Sequence, residues 1–115
     1  MAHLVRTVDG LLVARRVLFA RGFFPRAIGL LGRAGLPEDT TIWLDPCRAV
    51  HTWGMRFPID VVFVDRVLCI TSIGIRIAPW HWVHGRNAAH SVFEFSGGAS
   101  AVGLLAVGDS LAVRT

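Results

Sequence analysis

At 115 residues the chain is sized for one domain, residues 1–115, with no room for a second independent core. Apolar residues make up 53% and charged residues 17%, which excludes a disordered chain and predicts strands covered on both faces or an apolar surface used in self-association. All twelve basic side chains are arginine; residues 1–35 hold six of them against Asp9 alone, while the rest of the chain is close to neutral.

The elements follow in chain order. HLVRTV and LLVARRVLFA flank Asp9-Gly10, a dipeptide suited to a tight two-residue turn, and predict a hairpin. Pro25 at a first helical turn, the apolar Ile28, Leu30 and Leu31, and then Arg33 and Gly35 predict a helix of two to three turns. TTIWLD reads as a strand that stops before Pro46. IDVVFVD and VLCITSIG read as paired strands around Asp65-Arg66. Residues 78–90, APWHWVHGRNAAH, have no clean period and read as a loop. SVFEFSG is a further strand, and after a turn at Gly108-Asp109 the chain closes on SLAVR. The expectation is an α+β domain, mainly antiparallel β, forming a small barrel-like or half-closed sheet with one short helix packed against it.

The longest uncharged stretch, ASAVGLLAVG, falls well short of the roughly 20 residues of a spanning helix, and the first residues do not read as a secretion signal. Cytoplasmic residence is therefore expected, with Cys47 and Cys69 as thiols.

Residues 46–60, PCRAVHTWGMRFPID, space Cys47, His51 and Met55 four apart. Ligands of one ion must lie within roughly 4 Å of each other. An extended chain places such neighbours about 13 Å apart, and on a helix Met55 would stand about 12 Å from Cys47. Only a loop folded back on itself gathers all three, with His81 and His84 as further donors. The alternative is that Cys47 and Met55 are buried fillers and that His51 satisfies a turn. A Cys47–His51 nucleophile oriented by Asp45 or Asp60 lacks the surrounding glycine pattern of a nucleophile elbow. Asp60 with Glu94 is the one pair considered for two-carboxylate chemistry. Asp60 shares a strand face with Val62 and Val64, so it is either hydrogen-bonded within the fold or part of a site. Trp53, Arg56, Trp80 and Trp82 are candidates for a pocket rim, since Trp and Arg are effective contact residues.

In order along the chain, Gly29-Leu30-Leu31 with Arg33, Met55, Asp60 opening DVVFVD, Glu94 with Gly97 or Gly98, and Gly108-Asp109 resemble the prokaryotic domain-of-unknown-function family 192. The resemblance runs from about residue 15 to the end. It implies a compact, mainly β stand-alone domain with a helix and no established activity. Many members have a Trp-Met-Lys-Asn-Thr type stretch and a secretion signal. Here Trp53-Gly54-Met55-Arg56 stands instead, with Cys47 and His51, which implies a cytoplasmic branch in which the Cys/His pair is a branch feature.

The resulting expectation is a ligand-binding or interaction module with a cleft near Met55 and Asp60, rimmed by His51, Trp53, Arg56, Trp80 and Trp82. A soft-metal (zinc or copper) site on Cys47, His51, Met55, His81 and His84 is the alternative. Polyanion binding through Arg15, Arg16, Arg21, Arg26 and Arg33 is a third. No motif specifies a cofactor or a reaction, so binding is expected rather than catalysis. The partner is expected to be a small molecule, a protein or a second copy, rather than nucleic acid or a membrane.

Overall fold

The structure, a computed structural model, describes residues 1–21 and 36–115. Three strands open the chain: β1 (His3–Arg6), β2 (Leu12–Ala14) and β3 (Arg16–Arg21). They are followed by β4 (Thr40–Asp45), β5 (Ala49–His51), β6 (Ile59–Val64), β7 (Ile70–Ile77), β8 (Trp82–His84) and β9 (Ser91–Ser96). A 3-10 turn, Val102–Leu104, precedes β10 (Leu111–Arg114). The helix expected from Pro25 lies outside the described residues.

The centre is a five-stranded sheet in the order β3-β4-β9-β6-β7. β6 and β9 lie in its middle, and IDVVFV is buried along its whole length because apolar layers cover both faces. On one face Val62, Val64, Phe93 and Phe95 pack against Leu4, Val13 and Leu111 of a three-stranded sheet, β10-β1-β2. On the other, Ile59, Val61, Phe63 and Val92 meet Val50, Met55 and Ala89, with Val83 at the margin. Val50 and Val83 belong to a two-stranded ribbon, β5-β8, which forms the third layer. Burying each of Phe63, Phe93 and Phe95 is worth about 2–3 kcal/mol of transfer free energy, which makes these two layers the main stabilising contacts.

The hairpin around Asp9-Gly10 forms, with β1 antiparallel to β2. Arg6 and Asp9 pair across it at 2.7 Å, and the Leu11 N–H donates to Asp9 Oδ1. Its second arm differs from expectation, because it breaks at Arg15, where the Arg15 and Arg16 amides both donate to the Asp39 carbonyl. β3 then pairs with β4 in parallel, Arg16 opposite Thr40 through Arg21 opposite Asp45. Parallel pairing requires a crossover of about a dozen residues or more, and residues 22–39 are long enough to supply it. A purely antiparallel reading could not see this, since hydrophobic alternation carries no strand direction.

Of the barrel-like and half-closed forms expected, a closed barrel is excluded. β3 and β7 end the sheet on opposite sides and do not pair with each other, so the sheet stays open. Residues 78–90 are not all loop either, since β8 pairs antiparallel with β5, Val50 opposite Val83 and His51 opposite Trp82. A three-residue strand is too short for its alternation to register in the sequence. Close packing of the segment that follows requires Gly85, where an added Cβ would lie 2.5 Å from Ala89 Cβ and 2.8 Å from Phe63 Cδ1.

Candidate functional site

The ribbon has two unlike sides. Val50 and Val83 point into the core, so strand alternation turns Ala49 and His51 of β5, and Trp82 and His84 of β8, outward. His51 sits opposite Trp82, and their ring centroids are 5.2 Å apart, edge to face. Trp53, just past the end of β5, folds over both, 5.4 Å from His51 and 5.5 Å from Trp82 at an interplanar angle of 75°. On the far side of Trp82, His84 stacks at 6.0 Å. The result is a continuous row of four rings on the outer face, with Trp53 standing as a wall beside Trp82. Trp53 and Trp82 remain 52% and 53% exposed.

Thr52 fixes the row to the neighbouring turn. Its hydroxyl donates to the Ala78 carbonyl at 2.7 Å and accepts from the His81 amide at 2.9 Å. Its backbone carbonyl accepts from Met55 and Trp80, and its amide donates to His81. A buried threonine therefore holds residues 52–55 and 78–81 together, a role no sequence signal revealed. The turn so held places Trp80 at φ +70°, in the left-handed region where a bulky side chain is strained, with the residue 69% exposed. Such strain is worth about 1–2 kcal/mol. Trp80→Gly is accordingly expected to raise stability by about 1 kcal/mol in urea denaturation, after the greater chain entropy of glycine is deducted. A loss of stability in that measurement would show that the indole packs rather than strains.

His51, Trp53 and Trp82 thus come together at the surface, with Trp80 on the turn beside them. Arg56 is exposed nearby in sequence. Met55 and Asp60 do not share that surface. Met55 is part of the core beneath the ribbon, packed with Ile59 and Val61. Asp60 is wholly buried, opposite a bulge in β7 where two residues, Ile75 and Arg76, face one residue of β6. Arg76 has φ +50° and donates its amide to Asp60 Oδ1 at 2.7 Å. The Gly98 amide donates to both carboxylate oxygens, at 3.1 and 3.0 Å. Gly98 has φ +79°, and an added Cβ would collide with the Arg76 guanidinium at 2.8 Å. Asp60 is therefore a bracket that ties β6, the β7 bulge and the turn after β9. The expected cleft has no open wall formed by Met55 or Asp60, because the core fills around them.

Asp60 and Glu94 do not converge. Asp60 pairs with Phe95 across β6 and β9 and Glu94 with Val61, so their side chains leave opposite faces of the sheet. Glu94 lies between Ile42 and Val61 on the ribbon side. Its Oε1 has no hydrogen-bond partner among the described residues, and burial pushes its carboxyl up to about 8.

The soft-metal candidates are dispersed. Cys47 Sγ donates to the Ala49 carbonyl at 3.1 Å, and burial raises its thiol. His81 Nδ1 lies 3.0 and 2.9 Å from the Ala78 and Pro79 carbonyls, while His51 and His84 are built into the aromatic row. Among the described residues no three His, Cys, Asp or Glu side chains converge as ligands would. Both cysteines are free thiols. Of the arginine set, Arg15 and Arg16 are exposed, whereas Arg26, Arg33 and the side chain of Arg21 lie outside the described residues.

The sequence profile of DUF192, described as an uncharacterized ACR, matches residues 4–113. The chain belongs to this family. No curated protein matches its sequence. Two solved structures share the DUF192 fold seen here. One is a protein of unknown function from Novosphingobium aromaticivorans DSM 12444, 20% identical, with a TM-score of 0.72 over 94% of this chain and 90% of that one. The other, from Sinorhizobium meliloti 1021, is provisionally described as a transcription regulator. It is also 20% identical, with a TM-score of 0.74 over 97% of this chain and 91% of that one. Among the described residues no helix is long and apolar enough to cross a membrane.

Proposed function

We propose that this DUF192 domain is a binding module whose recognition surface is the aromatic outer face of the β5-β8 ribbon. The observation that carries the proposal is the exposure of three of its four tryptophans beside one another in the fold. Trp43 packs against the core, partly buried and stacked on Phe93 at 5.3 Å with its indole N–H satisfied by Ser91, so it accounts for itself structurally. Trp53, Trp80 and Trp82 do not, because each leaves half or more of a large apolar side chain in water. The strained backbone at Trp80 and the buried Nδ1 of His51, which has no hydrogen-bond partner among the described residues, add to the case, since fold stability alone is not served by either.

The chemistry offered is a ring face. The wall and floor formed by Trp53 and Trp82 suit a flat, ring-bearing small molecule that stacks on one indole and meets the other edge-on. Sugars and heteroaromatic bases both have this property. Tryptophan fluorescence titrated with oligosaccharides in one arm and nucleosides in the other distinguishes them. Saturable quenching by one class is expected, and Trp82→Ala is expected to weaken it by about tenfold to a hundredfold, the equivalent of about 1–3 kcal/mol of stacking. Absence of quenching by both classes, together with concentration-dependent dimerisation abolished by Trp82→Ala, would assign the face to a second copy of the chain instead.

A further inference from the structure

A second feature lies at the opposite end of the ribbon from Trp53. Where β5 begins and β8 ends, the Gly85 amide donates to the Arg48 carbonyl and the chain turns at residues 86–89, closed by the Ala89 amide on the Arg86 carbonyl. This turn faces the one at residues 65–68 that joins β6 to β7, closed by the Leu68 amide on the Asp65 carbonyl. Between the two turns is a hollow of about 430 Å³, lined by Arg48, Arg66, Asn87 and His90, with Asp65 at its side. The volume lies within the range of small-molecule sites.

We propose that this hollow is an oxyanion site that holds the phosphate group of a small molecule. The charges that converge there are unequal. Arg48 and Arg66 form no ion pair among the described residues. Arg48 is nonetheless held in place, because its Nη2 donates to the Asn87 carbonyl at 3.0 Å and leaves its other N–H groups free for an anion. The one opposing carboxylate in the hollow is outnumbered by the two guanidiniums, and it is held toward its own turn, where Asp65 Oδ1 accepts the Val67 amide at 3.0 Å and the Cys69 amide at 2.9 Å. Asp45 is likewise taken, with Oδ1 at 3.1 Å from His90 Nε2. At the tip of the 86–89 turn, the amides of Asn87 and Ala88 make no hydrogen bond with the described residues. A third guanidinium, Arg86, lines the adjoining hollow, which shares Asn87 and Ala88 with this one. Two guanidiniums, turn amides and a carboxamide form a donor set that matches the acceptor oxygens of phosphate, and charge-assisted bonds of this kind are the strong ones.

This site is separate from the aromatic face and its test is independent. The full chain is titrated calorimetrically with inorganic phosphate and, separately, with phenyl phosphate, at constant ionic strength set with chloride. Saturable binding of both is expected, and the tighter of the two identifies the natural source as the free ion or an ester. Arg48→Gln and Arg66→Gln are each expected to weaken binding about tenfold or more, with unchanged melting temperatures, and Arg48→Lys to retain part of the affinity. No saturation by either compound below about 10 mM would overturn the proposal. So would equal affinity of wild type and both glutamine variants. Loss of phosphate binding in Trp82→Ala would merge the two surfaces and remove the claim of a separate site.

Discussion

Glu94→Met is expected to stabilise the domain, and to do so increasingly as the pH rises. Glu94 lies in the middle strand of the sheet, 1% exposed, with apolar cross-strand partners Ile42 and Val61. Burial raises its carboxyl from 4.5 to about 8. Between those two values the folded chain keeps a proton that the unfolded chain has released. Folding there takes up a proton, so stability falls as the pH rises through that window. The contribution of this group is fully present below about pH 4.5 and fully lost above about pH 8. At about 1.4 kcal/mol per pH unit, the loss across the window is about 5 kcal/mol, a large share of the stability of a small domain. Methionine of similar volume removes both the titration and the unmatched oxygen. Urea denaturation of wild type and variant at pH 5, 6, 7 and 8 measures the difference. Parallel curves for the two proteins would show that the carboxylate is compensated in the fold and does not titrate there.

Asp60→Ala has the opposite sign. Removing this carboxylate leaves the amides of Arg76 and Gly98 without their acceptor, next to a bulge and a turn that both have positive φ. Each buried unmatched amide costs about 1–3 kcal/mol, so a loss on the order of 3 kcal/mol is expected. Asp60→Asn is expected to lose less, because one amide oxygen can still accept while the NH₂ opposes the second donor. Neither variant is expected to change binding at the aromatic face, measured below its own melting temperature. A folded Asp60→Ala protein of wild-type stability that had lost ligand binding would move Asp60 from the scaffold into the site.

These two carboxylates illustrate how much of the protein was legible beforehand. Both stand in strand-like runs among apolar neighbours, and from that alone each is either matched within the fold or functional. Choosing between those outcomes for Asp60 depended on the β7 bulge and on Gly98, which lies 38 residues downstream. No local pattern encodes such a meeting. The same holds for the tryptophans. Composition and spacing mark Trp53, Trp80 and Trp82 as contact residues, but a tryptophan that fills a core looks the same in sequence as one that faces water. Trp43 is the proof, partly buried against the core and packed between Phe19 and Phe93.

By itself the amino-acid sequence determined the mainly β character, the hairpin at Asp9-Gly10, the strands over TTIWLD, IDVVFV, ITSIG and SVFEFS, and the family. These are local properties: alternation, β-branched content, turn dipeptides, and a set of motifs in fixed order. Tertiary structure alone decided the parallel pairing of β3 with β4, the open sheet, and the existence of β8. It also decided the separation of Met55 and Asp60 from His51, Trp53 and Trp82. The physical reason is that strand partners and strand faces are selected by long-range packing. A three-residue strand such as Trp82–His84 acquires its two sides only when Val83 finds the core and leaves its neighbours in water.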